Sequence, residues 1–241
     1  MKINENVKLI LKDVYLYDIE ACHYTIMEKL GMDISSLDRN DKAQRNIEIG
    51  KMMRKNPKLT SLLRNTTKAI IDEYIMKNNV TEDDILIRQY DGILTTKVLR
   101  ITNIKHIPFE MRKRFLTFII SIDRGKYIGY DTERKVVIKG VSFRYPQMDM
   151  IYKKICAINF ANKSRIFIQL QKIKDDFLKS NNPYLFGVPT KKGLNIFLKD
   201  YGELEVTEST IKIMDTDDID KERYFKFYIE PFTKSITAEF V

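Results

Sequence analysis

Two acids, Asp18 and Asp91, have types and positions that could serve phosphoryl-transfer chemistry. Asp18 closes the apolar run Val14-Tyr15-Leu16-Tyr17-Asp18-Ile19, ahead of a helical pattern, and Asp91 sits at the tip of an expected hairpin, Ile85–Leu94. A strand end and a hairpin tip each hold a carboxylate rigidly. A pair so held can clamp two Mg²⁺ ions about 3.5–4 Å apart, the spacing of two-metal sites. Asp-Gly between apolar strands is also the strongest short hairpin signal, so a turn alone accounts for Asp91-Gly92. Asp18 has its own plain explanation, a strand end facing water. Glu20 shares its face, as a further ligand or, more simply, a solvated neighbour, and Asp13 is expected to face away.

The remaining reactive residues narrow the options. Cys22 and Cys156 are the only cysteines and show no metal-ligand spacing, which fits a reducing compartment. With only His23 and His106, the sequence argues against a histidine-based zinc site. The sequence offers no Ser/His/Asp or Cys/His arrangement and no glycine-rich phosphate loop.

These acids are embedded in an alternation of strands and helices. Residues 7–19 read as one or two strands and 21–30 as a helix with Ala21, Tyr24, Met27 and Leu30 on one stripe, closed by Gly31. Asp38 or Asn40 can cap a helix running to about Lys55, and Pro57 separates it from a second helix, about Leu59 to Asn78. The result is an αα-hairpin carrying Lys42, Arg45, Lys51, Arg54, Lys55, Lys58, Arg64 and Lys68. Such a set is usually a solvated face, yet it is dense enough to hold a triphosphate. Strand Lys97–Thr102 is expected after the Asp91 hairpin. Phe115–Ile122 and Tyr127–Tyr130 then flank the turn Asp123-Arg124-Gly125-Lys126, and Lys135–Lys139 and Val141–Tyr145 add further β-structure. Residues 148–180 read as helical with a break near Asn162. Tyr224–Glu230 and Ile236–Phe240 read as late strands. The order defines an α+β chain.

Lys and Arg total 42 against 33 Asp and Glu in 241 residues, a net charge of +9. A polyanion partner such as nucleic acid suits that balance, as does an AT-rich genome that inflates Lys and Ile. Arg112, Lys113, Arg114, Arg124, Lys126, Arg134, Lys135, Lys139 and Arg144, interleaved with Tyr127, Tyr130, Phe143 and Tyr145, would suit a groove that tracks a nucleic-acid backbone, or an ordinary exposed sheet face. No secretory pattern opens the chain, and no run approaches the ~18 apolar residues of a membrane span.

In order and spacing, five segments resemble motifs and flanking elements of family B DNA polymerases. Asp18-Ile19-Glu20-Ala21-Cys22-His23-Tyr24 resembles the first palm motif, D-x-x-S-L-Y-P-S-I. Arg88-Gln89-Tyr90-Asp91-Gly92-Ile93-Leu94 resembles the third, Y-G-D-T-D-S-I-F, with Asn65–Ile75 like the helix before it. Asp123-Arg124-Gly125-Lys126-Tyr127 looks like the K-K-x-Y element, and Lys139-Gly140 with Arg144 like the K-G-x-x-x-x-R hairpin. The likeness covers roughly residues 12–180.

The resemblance implies a palm with an antiparallel sheet, minimal helical-hairpin fingers (about 38–79) and, from 147 to 241, a thumb-like helical part with a small sheet, the palm spanning 1–146. Asp18, Asp91 and the Ile19 carbonyl would face two Mg²⁺ ions. Lys51, assisted by Arg45, would meet a nucleoside triphosphate, and His23 would stand where the family has its sugar-screening tyrosine. Lys126, Tyr127, Arg124, Lys139 and Arg144 would grip a DNA or RNA primer-template. Gln89 replaces the first acid of the third motif, and the fingers pattern N-S-x-Y-G is missing. The implied function is template-directed nucleotidyl transfer in DNA replication, in a phage-type enzyme or one piece of a split polymerase with other subunits, acting in the host cytoplasm away from membranes. The alternatives are a catalytically inactive nucleic-acid-binding or accessory subunit and an unrelated basic α+β protein.

Overall fold

The computed structural model describes residues 3–141 and 147–240. Arg144 and most of the expected strand Val141–Tyr145 lie outside them. In chain order the strands are β1 (Ile10–Leu11), β2 (Val14–Ile19), β3 (Ile85–Arg88), β4 (Gly92–Thr95), β5 (Asn103–Ile104), β6 (Ile107–Ile120), β7 (Tyr127–Asp131), β8 (Val136–Lys139), β9 (Val188–Pro189), β10 (Gly193–Leu198) and β11 (Gly202–Thr207). The helices are α1 (Cys22–Lys29), α2 (Lys42–Lys55), α3 (Pro57–Lys77), α4 (Gln147–Cys156), α5 (Lys163–Leu178), α6 (Glu208–Ile213), α7 (Lys221–Tyr224) and α8 (Glu230–Phe240). Contacts divide the chain into two compact units: residues up to Val7 with Asp13–Arg114, and Lys8–Lys12 with the residues from Phe115 onward.

The first unit is built on strands in the order β3-β4-β2-β6. β2 and β4 are antiparallel, with Tyr15 opposite Thr95, Leu16 opposite Leu94, Tyr17 opposite Ile93 and Asp18 opposite Gly92. Helix α3 covers this layer through Leu63, Thr67, Ile70, Ile71 and Tyr74, a helical stripe whose members are all buried. Tyr74 stacks on Phe109 at 3.6 Å between centroids. Asn56 and Pro57 make the expected break. The Asn56 amide ends α2, its side chain accepts from the Leu59 amide, and Pro57 takes the first helical position, where a missing N–H costs nothing.

The second unit carries β6 onward into pairing with β7, then β8, with β1 alongside β6. A separate sheet has the order β11-β10-β9. Ile119, Ile128, Tyr152, Ile155, Ile166, Phe177, Phe186, Leu194, Phe232 and Ile236 belong to the core of this second unit.

Three expected strands are corrected. Tyr224–Glu230 and Ile236–Phe240 are helical: α7 passes into a π-helical turn, Phe225–Ile229, and then α8. The buried positions Phe225, Tyr228, Ile229, Phe232 and Ile236 fall at spacings of three and four, and the Asp220 side chain caps the start by accepting from the Arg223 amide. The aromatic run Tyr224-Phe225-Lys226-Phe227-Tyr228 imitates a strand composition, but its burial has helical period. Lys97–Thr102 is irregular, because side chains take its backbone donors. The Leu99 amide donates to the Tyr17 hydroxyl (3.0 Å), and the Arg100 and Ile101 amides donate to Asn78 Oδ1 (3.0 Å each).

Candidate active site

Strand pairing puts the two acids side by side. The Ile19 amide donates to the Asp91 carbonyl (2.8 Å), and the Gln89 amide donates to the Gly92 carbonyl (2.9 Å), which closes the turn that presents Asp91. Glycine at 92 is required by the approach of β2: a Cβ there would sit 2.2 Å from the Tyr17 carbonyl oxygen and 2.8 Å from Asp18 Cβ. The turn residue and the acid opposite it are thus one structural unit. Ala21, in the left-handed conformation at φ 47°, swings the chain from β2 into α1, so Glu20 to Tyr24 wrap the same space.

A cleft of about 640 Å³ results, lined by Asp18, Ile19, Glu20, Cys22, His23, Tyr24, Asp91 and Arg112 and, from the start of α2 and the loop before it, Arg39, Asn40, Lys42, Arg45 and Asn46. Four cations (Arg39, Lys42, Arg45, Arg112) face three carboxylates (Asp18, Glu20, Asp91). Arg45 is 7% exposed; its guanidinium donates to the Arg39 carbonyl and lies 5.9 Å from the Tyr24 ring centroid. It has no carboxylate partner among the described residues. A buried cation without a counter-charge, at the N-terminal turn of a 14-residue helix, favours an anionic ligand.

Burial raises the Asp18 carboxyl above its ordinary value, and the neighbouring Asp91 charge adds to the rise; the hydrogen bond from Arg112 opposes both without cancelling them. That bond runs from Arg112 Nε to Asp18 Oδ1 at 2.7 Å, while Arg112 Nη1 lies 2.7 Å from Glu110 Oε2. Asp91 has no ion-pair partner among the described residues. His23 Nε2 and the Tyr90 hydroxyl are 3.1 Å apart, and burial holds the imidazole below its usual range. Burial pushes the Cys22 thiol up to about 12, which leaves it protonated and removes it as a nucleophile.

Among the described residues no three His, Cys, Asp or Glu side chains group into a metal cage. Two adjacent carboxylates whose charges repel suit instead a hard cation completed by substrate oxygens, which is how Mg²⁺ is usually held.

Asp18, Ile19, His23, Arg45 and Asp91 therefore meet in one cleft. Lys51 is not among its lining residues: it lies beyond Arg45 along α2 and pairs with Glu48 at 2.7 Å. Lys42 lines the cleft in its place. The sequence places Arg112 only in the basic set of a backbone-tracking groove and starts its strand at Phe115; β6 starts at Ile107, Glu110, Arg112 and Arg114 alternate along it, and Arg112 turns to Asp18 while Arg114 pairs with Asp13 at 2.6 Å. Arg124, Lys126, Tyr127 and Lys139 belong to the second unit. Tyr127 is 1% exposed, with its ring 4.6 Å from that of Phe118. The Lys126 side chain is 13% exposed, 3.6 Å from Asp123 and 4.8 Å over the Phe227 ring, while Lys139 is exposed.

The antiparallel sheet with its helical hairpin gives the chain a fold of the polymerase-palm type. The family B DNA polymerase of the hyperthermophilic archaeon Pyrobaculum calidifontis superposes with a TM-score of 0.51 at 10% identity, over 98% of this chain and 46% of that one. The chain thus spans just under half the length of that polymerase. The family model described as "Bacteriophage PBS1 gene 130 protein" matches residues 3–225, and the chain belongs to that family. No curated protein matches it in sequence. No helix among the described residues is long and apolar enough to cross a membrane.

Proposed function

We propose that the chain performs template-directed nucleotidyl transfer onto a nucleic-acid primer end, as a small polymerase or a polymerase subunit. The observation that carries this reading is the adjacency of Asp18 and Asp91 across β2 and the β3–β4 turn, in a cleft that also holds a buried, uncompensated Arg45. Arg45 and Lys42 would orient the triphosphate and offset charge as pyrophosphate leaves. Asp18 and Asp91, with the Ile19 carbonyl, would hold two magnesium ions. When bound, magnesium stabilises negative charge on the attacking and leaving oxygens. In the transfer itself the primer 3′-hydroxyl oxygen bonds to the α-phosphorus, the bond from that phosphorus to the bridging oxygen breaks, pyrophosphate departs, and the hydroxyl proton passes to water. His23, tied to Tyr90 and kept neutral by burial, sits in the same cleft where it could face the sugar. DNA or RNA and nucleoside triphosphates are the partners this reading requires.

A second reading is a palm that binds nucleic acid, or another polymerase subunit, without chemistry. The Arg112–Asp18 ion pair favours it, because a guanidinium already occupies one of the two acids. Primer extension with labelled deoxy- and ribonucleoside triphosphates, with and without Mg²⁺, separates the two. Magnesium-dependent extension supports the enzyme, and binding of primer-template without extension supports the module.

A further inference from the structure

Resting on the nucleotidyl-transfer reading, we propose that Arg112 is a phosphate-responsive guard of Asp18: it holds that carboxylate until a phosphate-bearing ligand takes over its guanidinium, so that cation binding at Asp18 is coupled to phosphate binding. Arg112 is a positioning residue in this scheme, with no bond made or broken through it.

Three observations carry the inference. First, Arg112 lines the same cleft as Asp18, Asp91 and Arg45, so a ligand in that cleft reaches it. Second, its guanidinium is shared. Nε bonds Asp18 at 2.7 Å and Nη1 contacts Glu110 at 2.7 Å, so release of Asp18 leaves the arginine still tethered. Glu110 and Arg112 lie two apart on β6 and project to one face, so Glu110 stays within reach of the guanidinium when Asp18 is released. Third, the pair is accessible: the Arg112 side chain is 40% exposed and that of Asp18 26%. An ion pair this open is weak and exchanges readily. A guanidinium also matches phosphate as well as it matches carboxylate, through the same forked donors. Phosphate arriving at Arg112 would free Asp18 for a cation, and by linkage a cation on Asp18 would free Arg112 for phosphate. The device would keep divalent ions off Asp18 until a substrate is present. The shared ligand chemistry is a phosphate chain, supplied by a nucleoside triphosphate or by the backbone of a strand end.

A double-mutant cycle tests this in metal-free buffer, by fluorescence anisotropy of a labelled nucleoside triphosphate and, in a separate arm, a labelled single-stranded oligonucleotide. Asp18→Asn is expected to tighten binding of the true phosphate source about fivefold or more, and to lose that gain in an Arg112→Gln background. Asp91→Asn makes the same charge change without touching Arg112, so its effect should be the same in both backgrounds. Whichever arm shows the coupling names the phosphate source. Separately, free-Mn²⁺ electron paramagnetic resonance should show tighter Mn²⁺ binding by Arg112→Gln than by the unaltered protein, with Arg112→Lys, which keeps the charge but loses the fork, in between. Circular dichroism verifies the fold of each variant; should Arg112→Gln not fold, Arg112→Lys completes the cycle. An Asp18→Asn effect that persists undiminished without Arg112 overturns the proposal, as does unchanged or absent Mn²⁺ binding. Primer extension by the unaltered protein reports on the underlying reading separately. Extension with no Arg112 coupling sinks only the guard, and coupling with no extension sinks only the enzyme.

Discussion

The strand ends of the first unit and the β6–β7 turn of the second carry candidate residues of the same kinds, acids and bases beside aromatics, yet they treat them oppositely. In the first, Asp18, Asp91, Arg45 and Arg112 converge on open space. In the second, Tyr127 is buried, Lys126 is folded down between Asp123 and Phe227, and Ser121 Oγ accepts from the Lys126 amide at 2.9 Å. A charged or aromatic residue in a motif-like position serves a ligand only if the local backbone leaves its tip free. The β2–β4 pairing does so, and the tight Ser121–Lys126 turn spends the same residue types on its own closure.

The largest expected contrast is catalytic. Asp91→Asn should cut primer extension by at least about a hundredfold while circular dichroism stays unchanged. Lys51→Ala, which loses only an exposed pair with Glu48, should leave extension within about twofold. Equal losses from both would erase the distinction between cleft and surface.

On the second unit the effect should be on stability. Tyr127→Ala removes a buried ring and should cost about 3 kcal/mol in denaturant unfolding. A loss in duplex affinity at unchanged stability would return Tyr127 to the surface role that its motif suggested.

A smaller difference separates two lysines. If this unit meets a phosphate backbone, exposed Lys139 should contribute and caged Lys126 should not. Lys139→Ala is then expected to lower the slope of log affinity against log salt by about one unit, with Lys126→Ala close to no change. The reverse order would show that Lys126 swings out to bind.

The smallest effect concerns His23. Burial lowers its folded-state pKa below the unfolded value near 6.5, so the unfolded chain takes up the proton first as pH falls. Stability should be full above about pH 6.5 and decline as pH drops from there toward the lowered folded value. His23→Gln should flatten that decline, measured by chemical denaturation across the range; an unchanged profile would assign the dependence to another group.

The acids and their elements were readable because Asp-Gly between apolar runs and an acid at a strand end are local signals. The helical hairpin was readable from its Asn56-Pro57 break and its periodic stripe. Arg112 was not, because its role depends on which residue of β6 lies beside Asp18, a register that no local pattern states. The C-terminal helices read as strands because aromatic content at Phe225 to Ile229 imitates a strand, while the three-and-four spacing decides their burial. The family resemblance points to Lys51 with Arg45, whereas the cleft takes residues nearer the start of α2, Arg45 and Lys42.

Anomalous diffraction from crystals grown with Mn²⁺ and a nucleoside triphosphate tests the central claim most directly. Manganese density bridging the Asp18 and Asp91 carboxylates is the expected result. A fully occupied triphosphate with no manganese at those two acids, or with manganese elsewhere, would contradict it.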